Sequence, residues 1–332
     1  MKQYVDGDAK WYFTPVPVVE DTQYQFSDFY QANVTTQVVV AFDMKDGSSV
    51  YQLLGLPAAG ATWTQFSTKF SVPLGAKSMS VYHLINKNGT LTIDDANIRA
   101  YTPVGLTRPL VTLTFDDGFV NMFTEVQPLL SKYGFTSTQF IATNFVGQPG
   151  YLTRAQLKTL YANGNEIGAH TLTHRDLTKL SAAQVQSELS LSKSRLVQWT
   201  GAPVTDFAFP EGLYNDSVLT TTKAQFTASR GIEDGLNGKD DFARYHIKVQ
   251  NIYASTSAAQ VADWVKQAQM TNTWLVLTYH SVDPDIYSVY DSGIYNIVPT
   301  LLDQHLSAIK KSGVTVTNMD KALAELIPQL SQ

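Results

Sequence analysis

The stretch Leu110-Val111-Thr112-Leu113-Thr114-Phe115-Asp116-Asp117-Gly118 is an apolar run that stops on two carboxylates and a glycine. Such a run, rich in β-formers and closed by Asp-Gly, predicts a buried strand ending in a loop. The figure recurs downstream, at Thr138 to Ala142, Glu166 to Ala169, Val204 to Phe209, Phe226 to Ser229, Ile247 to Ile252, Leu275 to Tyr279 and Val314 to Thr317. Between these runs, Thr153 with Gln156, Ser181 with Gln184 and Ser257 with Gln260 have the spacing of helix capping boxes. Gly164, Gly201 and Gly313 stand where helices should stop, and Pro299 suits a first helical turn. Strands alternating with helices over about 225 residues predict a parallel (β/α) barrel. A doubly wound open sheet is the alternative, since spacing does not encode strand order.

Upstream, the rhythm is different. Val16 to Val19, Val38 to Phe42, Gln65 to Val72, Ser80 to Ile85 and Leu91 to Ile98 are short β-rich runs, and no helical stripe appears before residue 120. Asn88-Gly89 between two of them predicts a hairpin turn. Residues 1–104 therefore read as a β-sandwich and 105–332 as the barrel, a multidomain β + α/β chain.

Composition removes several function classes. With 24 basic against 29 acidic residues the formal charge is −5, so no basic surplus exists to neutralise a phosphate backbone and nucleic acid is not expected as a partner. No apolar run reaches the length of a membrane-spanning helix. The first seven residues lack the apolar centre of a signal peptide. The absence of cysteine excludes disulfides, thiolate metal sites and cysteine nucleophiles. A polar, aromatic-rich chain of this kind leans towards a secreted or cell-surface location.

In parallel barrels chemistry gathers at the carboxyl ends of the strands. Asp116-Asp117-Gly118 follows the first expected strand, His170-Thr171-Leu172-Thr173-His174 the third, Pro210-Glu211-Gly212 the fourth and His280 the seventh. His170 and His174 are four apart, so a single helical turn would point both imidazoles the same way. Two imidazoles and a carboxylate suit zinc or a neighbouring divalent ion and leave a coordination position open for catalysis. In extended backbone the adjacent Asp side chains diverge, one to hold metal and one to take a proton from water; spacing does not say which does which. His280 is the candidate general acid.

The set Thr114-Phe115-Asp116-Asp117-Gly118, His170-Thr171-Leu172-Thr173-His174 and Leu277-Thr278-Tyr279-His280, in that order, resembles the NodB-type polysaccharide deacetylases, carbohydrate esterase family 4. The resemblance spans about residues 106–327 and implies a distorted (β/α) barrel, a divalent metal (zinc, with cobalt, nickel or manganese as alternatives) and removal of N-acetyl groups from a glycan. By matching position it implies Asp116 as general base, Asp117, His170 and His174 as metal ligands and His280 as general acid. Pro210, Glu211 and Gly212 fall where the family binds substrate and the oxyanion. Two features depart from the family. Ala208 stands where its third motif carries an Arg that steadies the catalytic Asp, so another cation is expected; Arg244 is the first candidate and Arg230 the second. The Asp that usually orients the acidic His has no clear counterpart, and Asp240, Asp241 and Asp283 are the candidates.

The first half is similar to jelly-roll carbohydrate-binding modules over about residues 10–101. Trp11, Tyr24, Tyr30, Tyr51 and Trp63 are the rings that could stack on sugars, although Trp63 is expected to pack in a core or between domains, and a packing domain that shapes the catalytic cleft is an equal alternative to a glycan binder. Asp94-Asp95 reads as a turn, with a structural calcium site as the alternative. An acetylated glycan is the expected partner and a monomer the expected state. O-deacetylation, as on acetylated xylan, and a silenced barrel that only binds glycans are the alternatives.

Overall fold

The computed structural model describes residues 7–20, 22–102, 104–284 and 293–330. Two units result, residues 1–103 with 233–235 and residues 104–232 with 236–332.

The strands of the first unit are β1 (Ala9–Tyr12), β2 (Val16–Pro17), β3 (Gln23–Ala32), β4 (Gln37–Met44), β5 (Ser49–Gly55), β6 (Gly60–Ser71), β7 (Ala76–Ile85) and β8 (Leu91–Tyr101). One antiparallel sheet runs β1-β7-β4-β5, with β2 beside β7, and the other runs β6-β3-β8. Val38, Val40 and Phe42, every second residue of β4, meet Phe26 and Phe70 of the other sheet in one buried cluster. That is the period of two expected when one face of each sheet is covered.

Four expectations for this unit are corrected. β1, β3 and β5 are strands outside the expected β-rich runs. Asn88-Gly89 does not close a hairpin, because β7 and β8 belong to different sheets and the turn carries the chain between them. Glycine is required there, since a Cβ on Gly89 would stand 2.6 Å from Val34 Cγ2. Asp94-Asp95 lies inside β8, where the pairing with β3 shifts register, and Asp95 takes φ 49°; the pair makes a bulge rather than a turn. Of the aromatic pool, Tyr30 is buried with its hydroxyl donating to Ala58 O, and Tyr24 packs on Phe70. Trp11 and Tyr51 are exposed, and so is Trp63, at 47%.

In the second unit β9 (Leu110–Phe115), β10 (Thr138–Ile141), β11 (Glu166–Ala169), β12 (Asp206–Ala208), β13 (Ala228–Asp234), β14 (Ile247–Asn251) and β15 (Trp274–Tyr279) follow one another round a parallel sheet. β9 pairs with both β15 and β10, which closes a seven-stranded barrel among the described residues and excludes the open sheet. β10 takes the last two residues of β9, while β16 (Thr315–Val316) takes its first two, so the eighth expected strand is an addition to the ring.

The helices are α1 (Gln127–Tyr133), α2 (Arg154–Ala162), α3 (Ala182–Thr200), α4 (Asp216–Gln225), α5 (Ala258–Thr271), α6 (Pro299–Ser312) and α7 (Met319–Leu330). Thr153 and Ser181 form reciprocal capping boxes, and Ser257 accepts from the Gln260 amide. Left-handed Gly201 and Gly313 end α3 and α6, whereas α2 ends on Asn163, one residue before Gly164.

Side-chain parity then places the chemistry. Leu275, Leu277 and Tyr279 share a cluster with Val111, Leu113 and Phe115 and with Leu189 of α3, Val261 of α5 and Leu302 of α6. Trp274 and Val276 join Leu110, Phe140, Ala208, Ala228 and Ile247 in a second cluster, against Met319, Ala322 and Leu323 of α7. Stepping by two along this inner parity leads from Thr114 to Asp116, from Gly168 to His170, from Ala228 to Arg230 and from Thr278 to His280. Parallel strands bring these positions to one end of the barrel.

Candidate metal and acid–base site

Asp117, His170 and His174 each offer one ligand atom, and these atoms lie within 4.8 Å of one another. Asp117 Oδ1 stands 3.5 Å from His170 Nε2 and 3.3 Å from His174 Nε2. Those separations exceed a normal N–H···O hydrogen bond. They match the roughly 3.4 Å expected between two ligand atoms sharing one tetrahedral ion at metal–ligand distances near 2.1 Å. The donor set therefore fits a divalent cation.

The second nitrogen of His170 explains its orientation. Nδ1–H donates to the Ala208 carbonyl at 2.8 Å, which leaves the Nε2 lone pair for a metal. Burial lowers the pKa of His170 to about 3, with His174 as the next cause, and burial also lowers that of His174. Both rings are thus neutral at pH 7, the form that coordinates.

No helical turn joins the two histidines, contrary to the spacing argument. The segment is a loop in which Thr171 (φ 67°) and His174 (φ 56°) take left-handed conformations. Asp117 (φ 73°) does the same, so its backbone is not extended; with Glu211 (φ 55°) the site holds four of the six non-glycine residues of positive φ among the described residues. Each costs about 1–3 kcal/mol and persists only when neighbours fix it. Glu188 of α3 is such a neighbour. Its carboxylate accepts from the Leu172 amide (3.0 Å), the Thr173 amide (2.9 Å) and the Thr173 hydroxyl (2.6 Å), while the Thr171 hydroxyl accepts from the His174 amide. Glu188 was not among the expected site residues; the one sequence signal was an acid on the buried stripe of an amphipathic helix.

Arg230 is the cation beside Asp116. It is 1% exposed, and its Nη2 donates to Asp116 Oδ2. Arg244, the first candidate, is elsewhere: its Nε donates to the Thr227 carbonyl. Burial by itself would raise the Asp116 carboxyl, but Arg230, His170 and His280 together hold its pKa below the usual carboxylate value. Oδ1 of Asp116 is buried and accepts no hydrogen bond from the described residues. His280 Nε2 lies 3.8 Å from Asp116 Oδ2. None of Asp240, Asp241 and Asp283 bonds to its Nδ1, which is buried without a partner among the described residues. Asp241 instead accepts from Gly238 N and Lys248 Nζ, near the opposite ends of β14 and β15.

Pro210, Glu211 and Gly212 form one tight turn after β12. Gly212 (φ 68°) is required, because a Cβ there would collide with Ile232. The Glu211 carboxylate acts on the neighbouring His174, favouring its charged form against the effect of burial.

Residues 104–228 match the polysaccharide deacetylase family. The Bacillus subtilis (strain 168) protein YxkH is 29% identical over 170 residues, half of this chain and 61% of its own length. Peptidoglycan-N-acetylmuramic acid deacetylase PdaA of the same organism is 33% identical over 115 residues, 34% of this chain and 42% of its own. The solved Xyl-CE4 domain of a multidomain xylanase from the Trinervitermes trinervoides hindgut metagenome aligns over 66% of this chain and 91% of its own, with 19% identity and a TM-score of 0.47. The chain thus spans less than two thirds of the curated relatives named here. The matched segment carries Asp116, Asp117, His170 and His174 just after β9 and β11 of the closed barrel, and over residues 104–228 the chain is similar to the polysaccharide deacetylases.

Proposed function

We propose that the barrel, residues 105–332, removes N-acetyl groups from a polysaccharide or oligosaccharide of N-acetylglucosamine, releasing acetate and a free amino sugar. The observation that carries this reading is the Asp117–His170–His174 ligand set beside an Arg230-bound Asp116, with His280 across from it. Asp117, His170 and His174 would hold a divalent cation, zinc as first choice, which would supply Lewis acidity for the acetyl carbonyl and for activating water near neutral pH.

This chain's residues supply the proton traffic and the shape. Asp116, kept ionised by Arg230, accepts a proton from the attacking water at its unbonded Oδ1. His280, whose Nε2 lies 3.8 Å from Asp116 Oδ2, gives a proton to the departing nitrogen, which an amide needs because an amide anion is a poor leaving group. Pro210, Glu211 and Gly212 shape the pocket, and the Glu211 amide donates to the developing oxyanion. Residues 1–104 serve as a carbohydrate-binding-module-like domain whose exposed Trp11, Tyr51 and Trp63 rings stack on glycan.

Acetate release from N-acetylglucosamine oligomers and from acetylated xylan, with zinc and again after chelation, tests the reading. Metal-dependent release from the amino-sugar oligomers is expected. Release from xylan alone would replace it with O-deacetylation, and binding without any release would replace it with a silenced barrel.

A further inference from the structure

We propose that Tyr253 is a sugar-stacking platform of this site, carried on a column of rings that starts at His280 and serving a pyranose ring beyond the one whose acetyl group reacts. The proposal rests on the deacetylase reading and names how that site recognises chain length.

The His280 ring is 4.8 Å from the Tyr295 ring at 37°, and Tyr295 in turn stacks on Tyr253 at 5.3 Å and 30°. Tyr253 is the third of these rings and is 38% exposed. Register places it at the catalytic end: Asn251 of β14 pairs with Thr278 of β15, and the Ile252 amide donates to the Thr278 carbonyl. Tyr253 is therefore level with His280, two ring steps to one side of it.

The platform is braced from three directions. The Tyr253 amide donates to the Thr256 hydroxyl, and the Thr256 amide returns a bond to the Tyr253 carbonyl. Beneath that turn, buried His305 donates from Nε2 to the Thr256 carbonyl at 3.0 Å and accepts at Nδ1 from the Tyr279 hydroxyl at 3.3 Å. This gives a use to a buried histidine that the acid–base chemistry leaves idle. To the side, the Ala254 amide donates to the Ile294 carbonyl, and Val282 bridges to Ile297, so the segments bearing Tyr253 and Tyr295 are tied together and to the end of β15. A ring held this way loses little freedom when a ligand stacks on it. Tyr offers what a pyranose presents, an apolar face for its axial C–H groups and a hydroxyl for its rim.

The test compares the zinc-loaded full chain with its Tyr253→Ala and Tyr253→Phe variants on β-1,4-linked N-acetylglucosamine oligomers of two to six units. For Tyr253→Ala a rise in KM of about tenfold on the longest oligomers is expected, shrinking as the chain shortens and falling on KM rather than kcat, with Tyr253→Phe close to wild type. A KM that is equal at every length, or a loss confined to kcat, would overturn the platform. Should the wild type release no acetate, the deacetylase reading fails separately, and calorimetric titration of the hexamer decides: weaker binding by Tyr253→Ala keeps the platform, whereas equal binding, or none by the wild type, removes it.

Discussion

Arg230 and Asp116 form a buried ion pair in which each group depends on the other. Removing the guanidinium alone strands a carboxylate away from water, a change that typically costs about 3–5 kcal/mol, whereas replacing both partners with neutral groups costs much less. Arg230→Met should therefore lower the urea midpoint markedly and cut acetate release. Arg230→Met with Asp116→Asn should regain most of the stability and none of the activity. Equal stability in the single and double variants would show that the pair is not the buried unit described. The cluster Asp117, His170 and His174 was legible in part: residue type and position after apolar runs pointed to the histidine pair and the Asp pair, whereas only the family resemblance chose Asp117 over Asp116. Arg230 was harder. The fifth strand was expected to stop at Ser229, because Gly231, Glu233 and Asp234 look like loop residues, yet β13 continues to Asp234 and carries Arg230 on its inner face.

Elements hold the site as much as residues do. The loop between β11 and α3 places both histidines through left-handed backbone that the Glu188 carboxylate secures from α3. Glu188→Ala is expected to weaken zinc binding about 10–100-fold, the usual cost of removing a group that orients ligands. Competition with a chromogenic chelator measures it, and an unaltered affinity would remove Glu188 from this role. The four-residue spacing disclosed the histidine pair but not its geometry, since a helical turn and a strained loop can present the same two rings.

At the other end of the barrel, Glu166 on β11 and Asp206 on β12 form a carboxyl pair. Burial first, then Asp206 and Asp320, raise the Glu166 pKa well above normal; burial first, then Asp320, push Asp206 up to about 6. Glu166 also accepts from Thr138 Oγ1 and the Asp320 amide, Thr205 bonds to Asp206, and Arg244 acts on Asp206 from β14's side while Lys193 faces it from α3. Native carboxyls of raised pKa hold protons that the unfolded chain has already released, so their contribution to stability falls as pH rises from about 4 through 6 and above. Glu166→Gln should flatten that fall: the wild type should lose more Tm between pH 5 and pH 8 than the variant does. A parallel loss in both proteins would contradict the shared burden.

At the scale of the molecule, the period-two half and the alternating half were distinguishable by rhythm, and the closed barrel was expected ahead of the open sheet. Pairing partners were not legible. Asn88-Gly89 has the chemistry of a hairpin turn, but turn chemistry does not state which sheet the next strand joins. β3 was hidden because its inner face alternates aromatics with Asp28, a carboxylate where a core residue was expected. Asp28 is bound at 2.6 Å by His83 Nδ1, and His83 Nε2 meets Thr36 Oγ1 at 2.8 Å, all three buried. Asp28→Ala leaves that network with an unmet buried donor, at about 1–3 kcal/mol. It should lower the unfolding transition of the first unit in calorimetry while acetate release at 25 °C persists; a matching loss of activity would mean that the two units do not act separately.

Metal-dependent deacetylation is tested most directly by acetate release from N-acetylglucosamine oligomers, using the wild type and Asp117→Ala, each as prepared, after chelation and after zinc is restored. Release by the wild type that stops on chelation and returns with zinc, with none from Asp117→Ala under any condition, is the expected result. Release that survives chelation or the loss of Asp117, or none by the zinc-loaded wild type from any oligomer, would contradict it.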